Sequence, residues 1–316
     1  VSGPVIVVLD ASTNGCEIER PAAEHEWISH DLTGDGQIAE RIRDADIVVT
    51  NKAPILLDAL DAAPRLKMIA LAATGYNNVD VRECARRGIV VSNVRAYANR
   101  GIAEHAMAML LCIAKSIHLH HASVLDGKWQ ESPSFWLNLH PSVDLAGRNF
   151  GVIGAGNLGR ATGDLARAMG LEVRYMLRGE PDGLERLPLD ELLAWADVIS
   201  LHCPLTPQNL GMVDDGFIAR MRDRSILLNT ARGGLVDCAA LKAGLESGKL
   251  LGAGLDVLDR EPPPAGHPML AFRHPGLLIT PHVAWSSEQS LRNLGRMVGE
   301  NIRAFLDGAP RNVVTP

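Results

Sequence analysis

Short runs of apolar, largely β-branched residues recur along the first third of the chain, at positions 5–9, 46–50, 66–72 and 89–94, and the stretches between them are long enough for helices. The pattern restarts at 150–153 and continues through 172–177, 197–202, 225–229, 252–257 and 277–279. Continuously apolar strands alternating with helices belong to parallel sheets covered on both faces. The expected fold is therefore α/β, with two doubly wound parallel-sheet, Rossmann-like domains. Between the two series, residues 101–121 predict one helix of about five turns. Its apolar residues cover nearly the whole circumference, which predicts burial between domains or between subunits. Residues 126–147, rich in Pro, Ser, Trp and Asn, read as a long connection. Residues 286–306 read as a final helix, stopped at Asp307-Gly308 and long enough to return to the first sheet.

Composition narrows the function classes. A length of 316 residues suggests two domains, and 47% hydrophobic with 22% charged residues is a globular balance. The net charge of −6 leaves no basic footprint for nucleic acid or an anionic membrane, so a small-molecule partner is expected. The most apolar stretch, 106–114, stops at Lys115, short of the roughly 18 residues of a membrane span. No basic segment followed by an apolar one precedes the run at 5–9, so the expected compartment is cytoplasmic. Cys16, Cys84, Cys112, Cys203 and Cys238 are odd in number with no CxxC spacing, which predicts reduced thiols, no disulfide framework and no zinc or other metal.

Phe150-Gly151-Val152-Ile153-Gly154-Ala155-Gly156-Asn157-Leu158-Gly159 places GxGxxG between a strand-like run and the helical segment 160–169. In that context Gly154 allows the tight turn, Gly156 lets backbone approach a pyrophosphate, and Gly159 permits close helix–strand packing with the helix N-terminus facing the phosphates. The next strand should end in an acid that accepts a hydrogen bond from the ribose 2′-hydroxyl of NAD. The chain has Leu177 and Arg178 there. No carboxylate repels a 2′-phosphate and a guanidinium pairs with one, so NADP(H) is favoured, with NAD(H) the alternative.

Three later segments follow strands of the second series, at the edge where open α/β sheets bind ligands. They are Asn229-Thr230-Ala231-Arg232-Gly233, Asp256-Val257-Leu258-Asp259-Arg260-Glu261-Pro262 and Thr280-Pro281-His282-Val283-Ala284-Trp285. Singly, each has an ordinary reading as a solvated charge or a turn residue, and periodicity does not bring them together.

With these segments, Ala73-Thr74-Gly75-Tyr76-Asn77-Asn78-Val79-Asp80, Asn93-Val94-Arg95 and Ala103-Glu104-His105, the chain resembles the D-isomer-specific 2-hydroxyacid dehydrogenase family over almost its whole length. Within that family it is similar to the glyoxylate/hydroxypyruvate reductases, also called glycerate dehydrogenases. The resemblance implies a discontinuous substrate domain, 1–98 plus 287–316, and a dinucleotide-binding domain, 99–286, with Arg232, Glu261 and His282 converging at the cleft between them. It also implies a homodimer, with an arm of about 101–147 in the contact and Trp136 a candidate to reach the neighbouring subunit's pocket. Carried over position by position, the cofactor contacts are Asn157 and Leu158, His202-Cys203-Pro204, Thr230-Ala231-Arg232, and Asp256, which bonds the nicotinamide carboxamide in the family. Asp256 as a mere turn or helix cap is the other reading. Ala98-Asn99-Arg100 departs from the Ser-Thr and polar residue of related chains.

The implied chemistry is reduction of a small 2-oxo acid. Arg232 clamps carboxylate and carbonyl oxygen in one plane. His282, as imidazolium, supplies the proton, and Glu261 orients the ring and stabilises the cation. Backbone N–H groups at Thr74, Gly75 and Tyr76 hold the substrate carboxylate. Other readings are a dehydrogenase for another D-2-hydroxy acid or for phosphite, using NAD, and a co-regulator that senses the dinucleotide. Formate oxidation fits poorly, because formate enzymes carry a glutamine where Glu261 stands.

Overall fold

The computed structural model describes residues 3–176 and 183–316. The chain divides into two compact units, Val1–Ala98 with Ser286–Pro316, and Asn99–Trp285. The first unit holds β1 (Val5–Val8), β2 (Glu26–Ser29), β3 (Ile47–Thr50), β4 (Met68–Leu71) and β5 (Val90–Ser92), ordered β2-β1-β3-β4-β5. All neighbours are parallel, with Val7 opposite Val48 and Val48 opposite Ile69. Every residue of β3 and β4 is buried, as a strand covered on both faces requires.

The sequence pattern does not predict β2. Its four residues, Glu-Trp-Ile-Ser, are exposed at the ends and half-buried in the middle. An edge strand pairs on one side only and needs no apolar run, so it leaves little periodic signal. The helix Glu288–Leu306 buries Leu294, Val298 and Ile302 within this same unit. Gly295 and Gly299 let it close: a Cβ there would stand 2.1 Å from the Glu17 carbonyl oxygen and 2.3 Å from that of Glu19. Beyond it, Val314 N–H donates to the Val91 carbonyl at 2.8 Å, and Ser92 Oγ donates to the Arg311 carbonyl.

The second unit holds β6 (Asn149–Ile153), β7 (Glu172–Met176), β8 (Val198–Leu201), β9 (Ser225–Asn229), β10 (Leu250–Leu255) and β11 (Leu277–Ile279), in the order β11-β10-β9-β8-β6-β7 and again all parallel. On one face Met107, Leu110, Ile113 and Ala166 pack with Phe150, Val152 and Tyr175. On the other, Leu192, Phe217, Leu241 and Leu245 cluster with Ile153, Ile199, Leu227 and Ala253. From β6 the chain moves first to β7 on one side and then to β8 on the other. That reversal puts a topological switch point at the carboxyl end of β6.

The expected single helix over 101–121 is two. Asn99–Ala114 and Ile117–Leu125 meet at 61° around Ser116, which lies in the left-handed region (φ 50) and donates its hydroxyl to the Pro141 carbonyl. The first helix is buried on much of its surface, whereas the second buries only Ser123 and exposes Ile117, Val124 and Leu125. A left-handed residue ends the α ladder whatever the hydrophobic pattern on either side. No single helix among the described residues is long and apolar enough to cross a membrane.

Gly295→Ala should cost about 1–3 kcal/mol, because backbone rather than a flexible side chain meets the added methyl. Gly36→Ala, with nothing within 4 Å, serves as the neutral control, and thermal unfolding of the two variants measures the difference.

Candidate active site

The glycine turn lies at the switch point of the second sheet. Gly154 has φ 103, a region that L side chains rarely enter, and a Cβ on it would stand 2.7 Å from the Cys203 backbone nitrogen. Gly159 packs just as closely, 1.9 Å from its would-be Cβ to the Gly154 oxygen, whereas Gly156 has nothing within 4 Å. Two glycines are thus needed by the protein itself, and the third faces open space. Gly156 caps the helix Asn157–Ala168, whose first ladder bond runs from Arg160 N–H to the Gly156 carbonyl at 3.0 Å. The N–H groups of Asn157, Leu158 and Gly159 therefore have no partner in the ladder and mark the positive end of the helix.

His202, Cys203 and Pro204 follow β8, and Thr230 and Ala231 follow β9, so they border the glycine turn along the same sheet edge. His202 Nε2 lies 2.8 Å from Ser200 Oγ, while its Nδ1 is buried without a protein partner, as is Thr230 Oγ1. Burial pushes the His202 imidazole down to about 4. Unpartnered buried polar atoms are expensive. Here two of them flank a glycine cradle and a free helix N-terminus, a combination that fits a dinucleotide. Leu177 and Arg178 lie outside the described residues.

Arg232, Glu261 and His282 follow β9, β10 and β11, three consecutive strands of the sheet. Asn229 shapes the first loop, donating from Nδ2 to the Arg232 carbonyl (2.9 Å) and accepting from Ala231 N–H (3.0 Å). Arg232 is exposed, with Nη1 on the Ala231 carbonyl. A Cβ on Gly233 would lie 1.8 Å from the Leu258 carbonyl carbon, so the loop carrying Glu261 rests directly on the segment carrying Arg232. Glu261 Oε1 accepts from Leu258 N–H at 2.9 Å, and Oε2 lies 2.6 Å from His282 Nδ1. With Nδ1–H turned to the carboxylate, Nε2 is the nitrogen left for a reactant.

Asp256 shows how the histidine is held. It is 1% exposed and accepts from Thr280 Oγ1 (2.6 Å), Val283 N–H (2.9 Å) and Ala284 N–H (2.9 Å). Its carbonyl takes His282 N–H at 2.8 Å, which helps hold His282 at φ 55. Asp256 is thus an anchor for the turn carrying His282, whatever else it touches. In the other unit the Thr74-Gly75-Tyr76 turn follows β4. It is held by Thr74 Oγ1 donating to the Val94 carbonyl (2.9 Å) and Asn93 Nδ2 donating to the Thr74 carbonyl (2.7 Å).

The family model for "D-isomer specific 2-hydroxyacid dehydrogenase, NAD binding domain" matches residues 107–284. The chain belongs to the D-isomer specific 2-hydroxyacid dehydrogenase family. It is 38% identical to a hydroxypyruvate reductase of Blautia hydrogenotrophica over 90% of this chain and 89% of the relative. It is 37% identical to a glycerate dehydrogenase of Methylorubrum extorquens, covering 98% of each. Among solved structures it is similar to the TT0316 protein of Thermus thermophilus (TM-score 0.85, 32% identity, 98% of this chain and 100% of that one). It is also similar to an NADPH-dependent glyoxylate/hydroxypyruvate reductase of Sinorhizobium meliloti in complex with NADP and malonate (TM-score 0.85, 27% identity, 99% and 97%). The chain is accordingly an NAD(P)-dependent oxidoreductase of the D-2-hydroxyacid class.

In this dehydrogenase the site also uses residues to which sequence reasoning assigned no role. His105 Nε2 lies 3.0 Å from Thr280 Oγ1, joining the network around Asp256, and Trp285 Nε1–H donates to the His282 carbonyl at 2.8 Å. A histidine on a helix gives no local sign of a partner 175 positions away.

Gly156→Ala should fold with unchanged stability yet weaken dinucleotide binding at least tenfold, whereas Gly154→Ala should lose stability as well; cofactor fluorescence titration and thermal unfolding separate the two. A second expectation concerns acid. Between about pH 6.5, where an unfolded histidine takes up its proton, and about pH 4, the folded His202 stays neutral, so stability falls as pH falls through that window. His202→Gln should flatten this loss, read as the urea midpoint at pH 7 against pH 5.

Proposed function

We propose that this enzyme reduces a small 2-oxo acid, glyoxylate or hydroxypyruvate, to the D-2-hydroxy acid with hydride from NADPH. The observation that carries the reading is the 2.6 Å Glu261–His282 pair on the strand edge that also bears Arg232. As imidazolium, His282 donates from Nε2 to the carbonyl oxygen as it becomes an alkoxide, while Glu261 on Nδ1 keeps the ring in place and offsets its charge. Arg232 aligns carboxylate and carbonyl oxygen. The backbone N–H groups of Thr74, Gly75 and Tyr76 find no acceptor among the described residues and receive the substrate carboxylate. Gly154, Gly156, Asn157, Leu158, Gly159, His202, Cys203, Pro204, Thr230 and Ala231 hold the dinucleotide, and Asp256 presents the remaining capacity of its carboxylate to the nicotinamide carboxamide. When bound, the reduced nicotinamide supplies the hydride to C2.

Preference for NADPH rests on Leu177 and Arg178 in the sequence, together with the NADP held by the S. meliloti relative. We infer a homodimer formed through the arm, because Ile117, Leu125, Trp129, Phe135, Trp136 and Leu139 expose about half or more of their surfaces there. None of the five cysteines is in a disulfide, which suits the reducing cytoplasm.

Absorbance at 340 nm, with NADPH and NADH separately against glyoxylate, hydroxypyruvate, pyruvate, a bulkier aromatic 2-oxo acid and, in the oxidative direction, phosphite, tests the reading. His282→Ala should remove kcat, and Arg232→Ala both kcat and affinity. Tight NAD(H) binding without turnover of any 2-oxo acid would point instead to a dinucleotide sensor.

A further inference from the structure

The loop that carries Glu261 is tied at a point nothing in the mechanism uses. Asp259 Oδ1 lies 2.8 Å from His267 Nε2 and 3.6 Å from Cys238 Sγ. His267 is 4% exposed, although it follows a run of prolines and glycine in a surface loop. The three ligand atoms sit within 4.8 Å of one another, a spacing that would suit a metal ion. The hydrogen bonding says otherwise. Met269 N–H donates to His267 Nδ1 at 3.2 Å, so Nδ1 is an acceptor and the ring's proton is on Nε2, aimed at Asp259. No lone pair on Nε2 remains for a cation. The Cys238 thiol, pushed up to about 11 chiefly by burial, stays protonated and donates to the same carboxylate. The Asp259 carboxyl is held below its usual range, first of all by the hydrogen bond from His267.

We propose that His267 is a positioning residue for the Glu261–His282 pair, acting through Asp259. The bond closes the loop across eight residues, and Glu261 lies inside it. The backbone of Leu258 and Asp259 rests on Gly233, beside Arg232, and Cys238 begins the helix that follows that segment. One carboxylate therefore fastens the Glu261 loop to the Arg232 side of the site through Cys238 and to a buried ring through His267. Displacement of a catalytic group by about 1 Å can cost on the order of 100-fold in rate, so a tie at this place is read in kcat. The proposal rests on Glu261–His282 being the reacting pair.

The test uses the dinucleotide-loaded enzyme and its best 2-oxo acid. His267→Asn keeps an acceptor for Met269 N–H and removes the donor to Asp259; His267→Gln returns an N–H donor near the position of Nε2. We expect kcat to fall at least tenfold in His267→Asn with the cofactor Kd within twofold of wild type, and to recover to within threefold in His267→Gln. Asp259→Ala, at a half-exposed position that tolerates truncation, should repeat the loss. In a Glu261→Gln background, His267→Asn should cost less than twofold more. Wild-type kcat in Asp259→Ala, a Gln variant no better than Asn, an undiminished loss in the Glu261→Gln background, or activation by added zinc would each overturn the tie. If Glu261→Gln alone leaves kcat unchanged, the reading of the pair has failed instead.

Discussion

With 1% of its surface exposed, the Asp256 carboxylate has to satisfy its lone pairs inside the protein, and it does so on the segment that follows β11. A buried carboxylate left short of partners would be costly, so the turn from Thr280 to Ala284 is drawn onto the end of β10. His282 is held there at a positive φ that an ordinary turn would avoid, with its own N–H on the Asp256 carbonyl. Its ring then meets Glu261, which is set by Leu258 N–H two residues beyond Asp256. His282, Asp256 and Glu261 are parts of one hydrogen-bonded construction.

The first unit uses the same device. Asp10 follows β1, the strand flanked by β2 and β3, and is 2% exposed. It accepts from the N–H groups of Asn51, Lys52 and Ala53, so the loop after β3 is gathered to the carboxyl end of β1. Asn78 then donates to the Asn51 and Ala53 carbonyls, tying in the segment that begins with Thr74. In each unit a buried aspartate at a strand end converts a set of loops into a rigid surface. Both carboxylates accept chiefly from backbone N–H groups of the following loops, so their first effect is to fix the side chains those loops carry.

Parallel strands explain why so much converges on one edge. Every strand of such a sheet delivers its following loop to the same side, where backbone N–H groups and helix N-termini point outward. Gly154 and Gly159 pack against neighbouring backbone, and Gly156 leaves the front open. The buried, unpartnered His202 Nδ1 and Thr230 Oγ1 lie on the same edge, and such atoms are tolerable where a ligand completes them.

The alternation of apolar runs and helical spacers determined that the chain would form two parallel α/β layers, because strands buried on both faces write their burial into consecutive residues. The glycine turn was legible for a similar reason: strand, turn and helix are contiguous, so their joint geometry is a local property. Legibility ended where contacts are not local. β2 needs only one neighbour and half-buried side chains, so Glu-Trp-Ile-Ser carries little pattern. The bend at Ser116 depends on a hydroxyl reaching Pro141, 25 positions on. The grouping of Arg232, Glu261 and His282 was available from resemblance to a family and not from spacing, since separations of 29 and 21 residues say nothing until β9, β10 and β11 are placed side by side. Pairing strands and enclosing polar groups are decided by the whole chain at once. That is why residue types announced what chemistry was available, while only the tertiary structure decided which Asp256, Thr280, His105 and His267 atoms would meet.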